Sequence, residues 1–458
     1  MDRLTAEALG HLEKALVHDP THIDALIALS NAHLDQGNFH EVEELLNRAL
    51  SFRKDQSEVF FLLATLQALR DDNESASKTI DKAIELAADN PKYLRLASEI
   101  AKKREISFEH QIFLERLIDL EPLDGAAHYE LGKIFHHPDD FDRVKLLFEI
   151  AIDLLPNNTS PIYSLALHLY QGEKSLEDGT ISIESDIPYA KKLLKKILSL
   201  NSGEGKAKVL LAEIELKSDE EVSAVRLLEE ALENQGVRGE AAYKLGLICQ
   251  KNDKLTKAKK YYLSAMEHED WEAFGEFRLG LLMLEQGQAK EAGGHLHQCI
   301  SSFKKEEASL VKSKDHHLEK LNFHESRKEL QSLQLIRKCL GEANLAIYKS
   351  KQVSQIDKTT LRYLNEALLH YPHYPKANYE KGLYFVKSGE RENAKTKFEN
   401  SVEGDWNHWP SHMELAKLAK IEKEWRKAEM HFKIVLDLDP GNKQATAHLK
   451  QIQARSKK

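Results

Sequence analysis

A chain of 458 residues would ordinarily divide into about three globular domains of roughly 150 residues each. A stacked repeat array escapes that rule, because each unit touches only its neighbours. Charged residues make up 30% of the chain and aromatic residues 7%. This composition favours helix, and the net charge of −9 excludes a general nucleic-acid binder.

Three cysteines, Cys249, Cys299 and Cys339, form no C-x-x-C pair and no disulfide framework. Reduced thiols follow. The N-terminus carries acids and lacks the apolar run of a signal peptide, and no window reaches membrane-span length. A cytoplasmic protein without membrane insertion is expected. Charge is uneven: residues 1–160 hold 17 Lys+Arg and 30 Asp+Glu, a balance of −13, and the remainder carries +4. The acidic third reads as a solvated outer face. It also offers a surface for a basic partner or for self-association with the basic end of another copy.

The predicted elements recur at a fixed spacing. The stretch 125–158 reads as two amphipathic helices and a turn, closed by Pro156, which has no N–H with which to continue a helix. Steps of 34 residues back from Pro156 reach Pro122, Ala88, Lys54 and Pro20, each after an apolar helical segment. Within a unit, a large residue and a small one stand side by side on the first helix. Examples are Leu29-Ser30, Leu63-Ala64, Ala97-Ser98 and Leu131-Gly132. The second helix carries a small residue, a large one and Ala, as in Ala76, Ile80 and Ala83. Small residues let the two helices approach, and large ones fill the gap to the next unit.

This pattern resembles the tetratricopeptide repeat family. The resemblance implies an all-α fold, a right-handed superhelical solenoid of helix-turn-helix repeats. The chain begins mid-repeat, with Ala8, Leu12, Ala15 and Pro20 on a second helix. The sixth unit is interrupted near 171–188 by a polar insertion of 12 residues, read as a surface loop. Register resumes through Gly236, Asp270 and Lys304, with Cys249 and Cys299 at packing positions. Residues 305–340 are densely charged and lack the small pair. They are expected to form an irregular helical segment and a boundary, with a projecting stretch near Lys312–Glu329. Repeats return over 341–442, closing at Pro372 and Pro440, and a capping helix is expected over 443–458. The array proper therefore spans 1–304.

No phosphate-binding, nucleophile-elbow or zinc-protease motif is present. His295 with Cys299, and His408 with His412, each offer two ligands on one helix face where a closed metal site needs about four. Neither catalysis, a metal nor a cofactor is expected. His136-His137-Pro138-Asp139-Asp140 reads as an inter-helix turn with Asp as the helix N-cap.

The resemblance further implies that the second, fifth, ninth and twelfth places of each unit face a concave groove. The fifth places are Ile27, Phe61, Arg95, Tyr129, Tyr163, Val209, Tyr243, Phe277, Tyr379 and Met413. Tyr170, Phe274 and Leu284 join the same face. Such an aromatic stripe suits capture of a partner's peptide or helix, since rigid rings give contact area at little entropic cost. Burial of the same rings by neighbouring helices is the other reading. Two basic spots break the stripe: Lys92, Arg95 and Lys102, and Lys417 with Lys420. The Lys-Asn pair by which chaperone-tail binders of this family grip a terminal carboxylate is missing. The expected function is a non-catalytic scaffold or adaptor that binds a partner's peptide segment. The alternatives are a structural subunit of a multiprotein assembly, or the regulatory repeat region of an enzyme whose catalytic domain lies outside this chain.

Overall fold

The computed structural model describes residues 3–135, 138–175, 181–183, 185–319, 323–351 and 358–456. Two compact units make up the chain: residues 1–224 with 313–328, and residues 225–312 with 329–458. His136 and His137 of the expected turn lie outside the described residues.

In the first unit, helices follow one another as α1 (Arg3–His18), α2 (Ile23–Asp35), α3 (Phe39–Phe52), α4 (Ser57–Leu69), α5 (Asn73–Leu86) and α6 (Pro91–Lys103). They continue as α7 (Ser107–Leu120), α8 (Gly125–Gly132), α9 (Phe141–Leu154), α10 (Thr159–Gln171), α11 (Ile187–Leu200) and α12 (Gly205–Lys217). After α13 (Glu221–Ala231), the second unit holds α14 (Arg238–Lys251), α15 (Leu255–Met266), α16 (Glu269–Glu285), α17 (Ala289–Glu319) and α18 (Phe323–Lys351) apart from their residues within 313–328, which belong to the first, and α19 (Lys358–His370). It ends with α20 (Pro375–Ser388), α21 (Arg391–Gly404), α22 (Trp409–Ile421), α23 (Trp425–Leu438) and α24 (Lys443–Ser456). The fold is an all-α solenoid of helix pairs.

Its register is written into the backbone. Besides Gly172, the described residues in the left-handed region are Gly37, Asp71 and Glu105, then Asp219, Asp253 and Gly287, then Gly389 and Lys423, each 34 after the last within its run. Each ends the first helix of a unit. The next residue's N–H donates to the carbonyl five residues back: Asn38 to His33 at 3.0 Å, Lys254 to Cys249 at 2.8 Å, Glu424 to Ala419 at 2.8 Å. This left-handed cap satisfies the helix's last carbonyls and reverses the chain.

The core runs between the helices as a string of clusters. Leu26, Leu29, Val42 and Leu46 begin it in the first unit, where Ile80, Leu94 and Leu114 continue it. Small residues set the closeness. A β-carbon on Gly382 would meet Phe398 Cε1 at 2.4 Å, which only glycine avoids. Successive units are also tied by side chains. Arg48 donates to the carbonyl of Pro20 at 2.6 Å and Arg116 to that of Ala88 at 2.7 Å, both reaching back 28 residues.

Three expectations change. The insertion after α10 is not wholly loop: Gly172 caps that helix at φ 64°. Glu173–Ser175 then pairs antiparallel with Ile181–Ile183 in a two-stranded ribbon, β1 and β2. The charged stretch over 305–340 is regular helix in its described residues, lying within α17 of 31 residues and α18 of 29. The sequence from His295 to Leu340 contains no Gly or Pro, so nothing ends these helices where the repeat length would have ended them. Finally, Asp140 stands at the N-cap position of α9 without a side-chain cap hydrogen bond, its neighbours Pro138–Asp140 forming a 3₁₀ turn. The closing helix α24 covers the last apolar face with Ala445 and Ile452, both buried.

Candidate functional site

The fifth-place residues stand on successive first helices, and the structure packs most of them against the next unit. Phe61 stacks on Tyr93 at 5.1 Å. The Tyr129 ring lies against Phe148 at 5.9 Å, with Lys133 Nζ 5.2 Å from its centroid. Its hydroxyl reaches Ser164 Oγ at 3.4 Å. Arg278 Nε donates to the Tyr243 hydroxyl at 3.2 Å, again 35 residues along. Tyr243 also meets Trp271 at 5.1 Å and Phe274 at 6.0 Å. Phe274 in turn meets Phe303 at 5.1 Å. Tyr170 carries Lys217 Nζ 4.1 Å above its ring. These residues and Tyr163 are half-buried, each keeping an exposed edge.

Several candidates are not free surface. Phe277 is 1% exposed, because Phe303 at the end of the expected second helix and residues of the long α18 close over it. Val209 and Met413 are likewise buried. Arg95 pairs with Asp124 and, at 2.7 Å, with Glu121, while Lys102 pairs with Glu130 at 2.6 Å. Arg95 and Lys102 of the first basic spot are therefore already paired.

At the C-terminal end the ladder opens. A cavity of about 470 Å³ lies against α20, α22 and the start of α24, a volume in the range of small-ligand and side-chain sites. Tyr379 comes from α20 and is held by Phe398 at 5.9 Å and His408 at 5.4 Å. Burial pushes its hydroxyl pKa up, so it stays protonated and can donate. Trp409, Met413 and Lys417 follow at four-residue steps on one face of α22. Asn442, Lys443 and Gln444 form the far wall. Asn442 is fixed by its side-chain oxygen, which accepts from the Ala445 N–H at 3.1 Å and caps α24.

Trp409 and Asn442 escaped the sequence reading, which followed the second, fifth, ninth and twelfth places of each unit. The signal was present: Trp409 stands four residues before Met413, and Asn442 follows the closing Pro440. Among the described residues, no group of three or more His, Cys, Asp or Glu is arranged to hold a metal. His412 Nδ1 lies instead 3.0 Å from His431 Nδ1. No helix of the described residues is long and apolar enough to cross a membrane.

Tetratricopeptide repeat family models match residues 3–60 and 239–267. Both stretches keep the 34-residue register of the left-handed turns. The chain is a tetratricopeptide repeat protein. Its likeness to the human protein O-mannosyl-transferase TMTC1 is 23% identity over 159 residues, 33% of this chain and 18% of that protein. The chain thus matches less than a fifth of that relative's length. Among solved structures, yeast Tom70 aligns at 13% identity and TM-score 0.44, covering 95% of this chain and 96% of its own. Cut9, in the Cut9-Hcn1 hetero-tetramer of the APC/C, aligns at 12% and 0.42, covering 98% and 93%. YrrB, described as having an unusual peptide-binding site, aligns at 17% and 0.36 over 42% of this chain and 92% of its own. The architecture of this repeat protein is that of a protein-interaction scaffold.

Proposed function

We propose that this tetratricopeptide repeat protein is an adaptor that holds a segment of a partner protein against the first-helix face, with its principal anchor in the C-terminal cavity. The observation behind this reading is the cavity itself. It combines an aromatic floor from Tyr379 and Trp409 with polar walls from Lys417, Asn442 and Gln444, the arrangement that orients a bound side chain. Half-buried rings also stand on first helices within each compact unit, Phe61, Tyr129, Tyr163 and Tyr170 in the first and Tyr243 and Phe274 in the second. Ordering a flexible ligand costs free energy, so affinities of about micromolar are expected.

The test is selection from a peptide-display library on the purified chain, followed by titration of the selected peptides. Trp409→Ala should weaken them by at least about tenfold. Unchanged binding to that variant overturns the reading.

A second reading has the likeness to a transferase behind it: the array serves as the accessory repeat region of an enzyme. A tagged copy recovered from its native source should then carry mannosyl transfer to a protein acceptor. Recovery without that activity overturns this reading.

A further inference from the structure

We infer that the ligand of the C-terminal cavity is an acidic peptide segment carrying one bulky apolar anchor, an inference that rests on the peptide-binding reading above and adds its chemistry. The two basic spots of the sequence have different fates. The carboxylates of Asp124, Glu121 and Glu130 take up Arg95 and Lys102, two of the three cations of the first spot. At the C-terminal end, Lys420 Nζ donates to His448 Nδ1 at 3.0 Å and to Gln451 Oε1 at 2.8 Å, both neutral acceptors. Lys417 has Glu414 at 2.7 Å. Lys443 stands exposed at the cavity wall. Among the described residues no carboxylate pairs with Lys420 or Lys443. Lys417 and Lys443 thus line the aromatic pocket with a single lining carboxylate, Glu414, and Lys420 stands one turn further along α22.

Burial and then the charges of Lys420 and Lys417 hold His448 below its ordinary pKa, whereas Glu414 and Glu380 add to the burial that raises Tyr379, so the positive field lies on the Lys420–His448 side. That field attracts carboxylates of a ligand and repels its cations. Trp409 and Tyr379 supply the faces against which an aromatic or long aliphatic side chain would pack. Acidic residues on either side of that anchor would then meet Lys417 and Lys443.

The experiment is fluorescence anisotropy with three fluorescein-labelled decapeptides, each with one central Trp. The flanks are Asp and Glu in the first, Asn and Gln in the second, Lys in the third. The acidic peptide is expected to bind at least about tenfold tighter than the amide peptide, and to lose that advantage near 0.5 M salt, where charges are screened within about 4 Å. The Lys417→Gln/Lys443→Gln variant, whose folding is checked by its thermal melt, should remove the preference and keep the residual binding of the amide peptide. Equal binding of acidic and amide peptides that still falls with Trp409→Ala overturns the acidic chemistry and leaves the groove standing. Binding of all three that Trp409→Ala does not change overturns the groove reading as well. Sedimentation at low salt decides whether the occupant is another copy. Self-association abolished by the double Lys→Gln variant would assign the cavity to the acidic N-terminal third of a second copy and overturn a separate peptide ligand. A monomer supports the separate peptide.

Discussion

Gly246 on α14 faces Tyr262 on α15 so closely that a β-carbon on the glycine would lie 2.4 Å from Tyr262 Cε1. The ring cannot retreat. It is fully buried, and its hydroxyl donates to Gln250 Oε1 at 2.7 Å. Overpacking costs about 1–3 kcal/mol, so after the roughly 1 kcal/mol that alanine gains in helix propensity Gly246→Ala is expected to destabilise the second unit by up to about 2 kcal/mol. Gly294→Ala is the control, since nothing lies within 4 Å of its β-carbon position. That change should stabilise by about 0.5–1 kcal/mol. Urea unfolding of both variants measures the difference, and equal effects would refute the close contact.

The left-handed turns give a second expectation. Lys423 holds φ 64° and Gly389, one unit earlier, holds φ 80°. A side chain in this region costs about 1–2 kcal/mol by its β-carbon contacts, which glycine lacks. Lys423→Gly should therefore stabilise by about 0.5–1 kcal/mol, and Gly389→Ala should destabilise by at least as much. Chemical denaturation of the pair checks the sign of each. A gain from Gly389→Ala would mean that the turn is not left-handed in solution.

The register was legible because it is a property of spacing. The side chains at Asp71, Glu105 and Asp253 do not announce a left-handed residue, yet their places follow from Gly37 and Gly287 by steps of 34. What depends on contacts between units was not legible. Arg95 reads as a free cation until Glu121 and Asp124, 26 and 29 residues on, come beside it. Phe277 occupies a groove position by count, but Phe303 and α18 bury it. The extension of α17 and α18 was likewise concealed, since a repeat search reads loss of pattern as loss of structure. The cavity draws on places that the groove pattern does not count, Trp409 and Asn442 among them, so a search by place number found only Tyr379, Met413 and Lys417 of its lining.

The cysteines separate by position. Cys299 and Cys339 are buried, while Cys249 is partly exposed. Burial pushes the Cys299 thiol well up and the Cys339 thiol to about 12, so neither forms the reactive thiolate at neutral pH. A thiol reagent added to the folded protein is expected to label Cys249 alone, with the other two reacting only on unfolding. Mass spectrometry of the labelled protein reads the outcome. Rapid labelling of Cys299 under native conditions would place it outside the packed core.

The histidines of the last repeats make stability depend on pH. His412 Nε2 lies 2.9 Å from the carbonyl of Trp406, so it carries the proton and donates. His412 Nδ1 is then an acceptor, and His431 Nδ1, 3.0 Å away, must be the donor. His412 cannot take a second proton without losing the acceptor of this pair, and His431 can charge at Nε2 only against burial and its neighbours. Burial, and then the neighbouring His412, lower the His431 pKa to about 4, and burial also lowers that of His412. In the unfolded chain both return to about 6.5. The unfolded state therefore binds protons first as the solution is acidified. Stability is full above about pH 7, falls as pH drops through 6.5, and stops falling from this source once His431 protonates in the folded state near 4. His110, also lowered to about 4 by burial, acts in the same direction. His431→Gln should flatten the slope between pH 6.5 and 4 and leave the His110 contribution. A melting series across that range, wild type beside variant, isolates the pair. Parallel curves would show that the two rings do not share the hydrogen bond on which the argument depends.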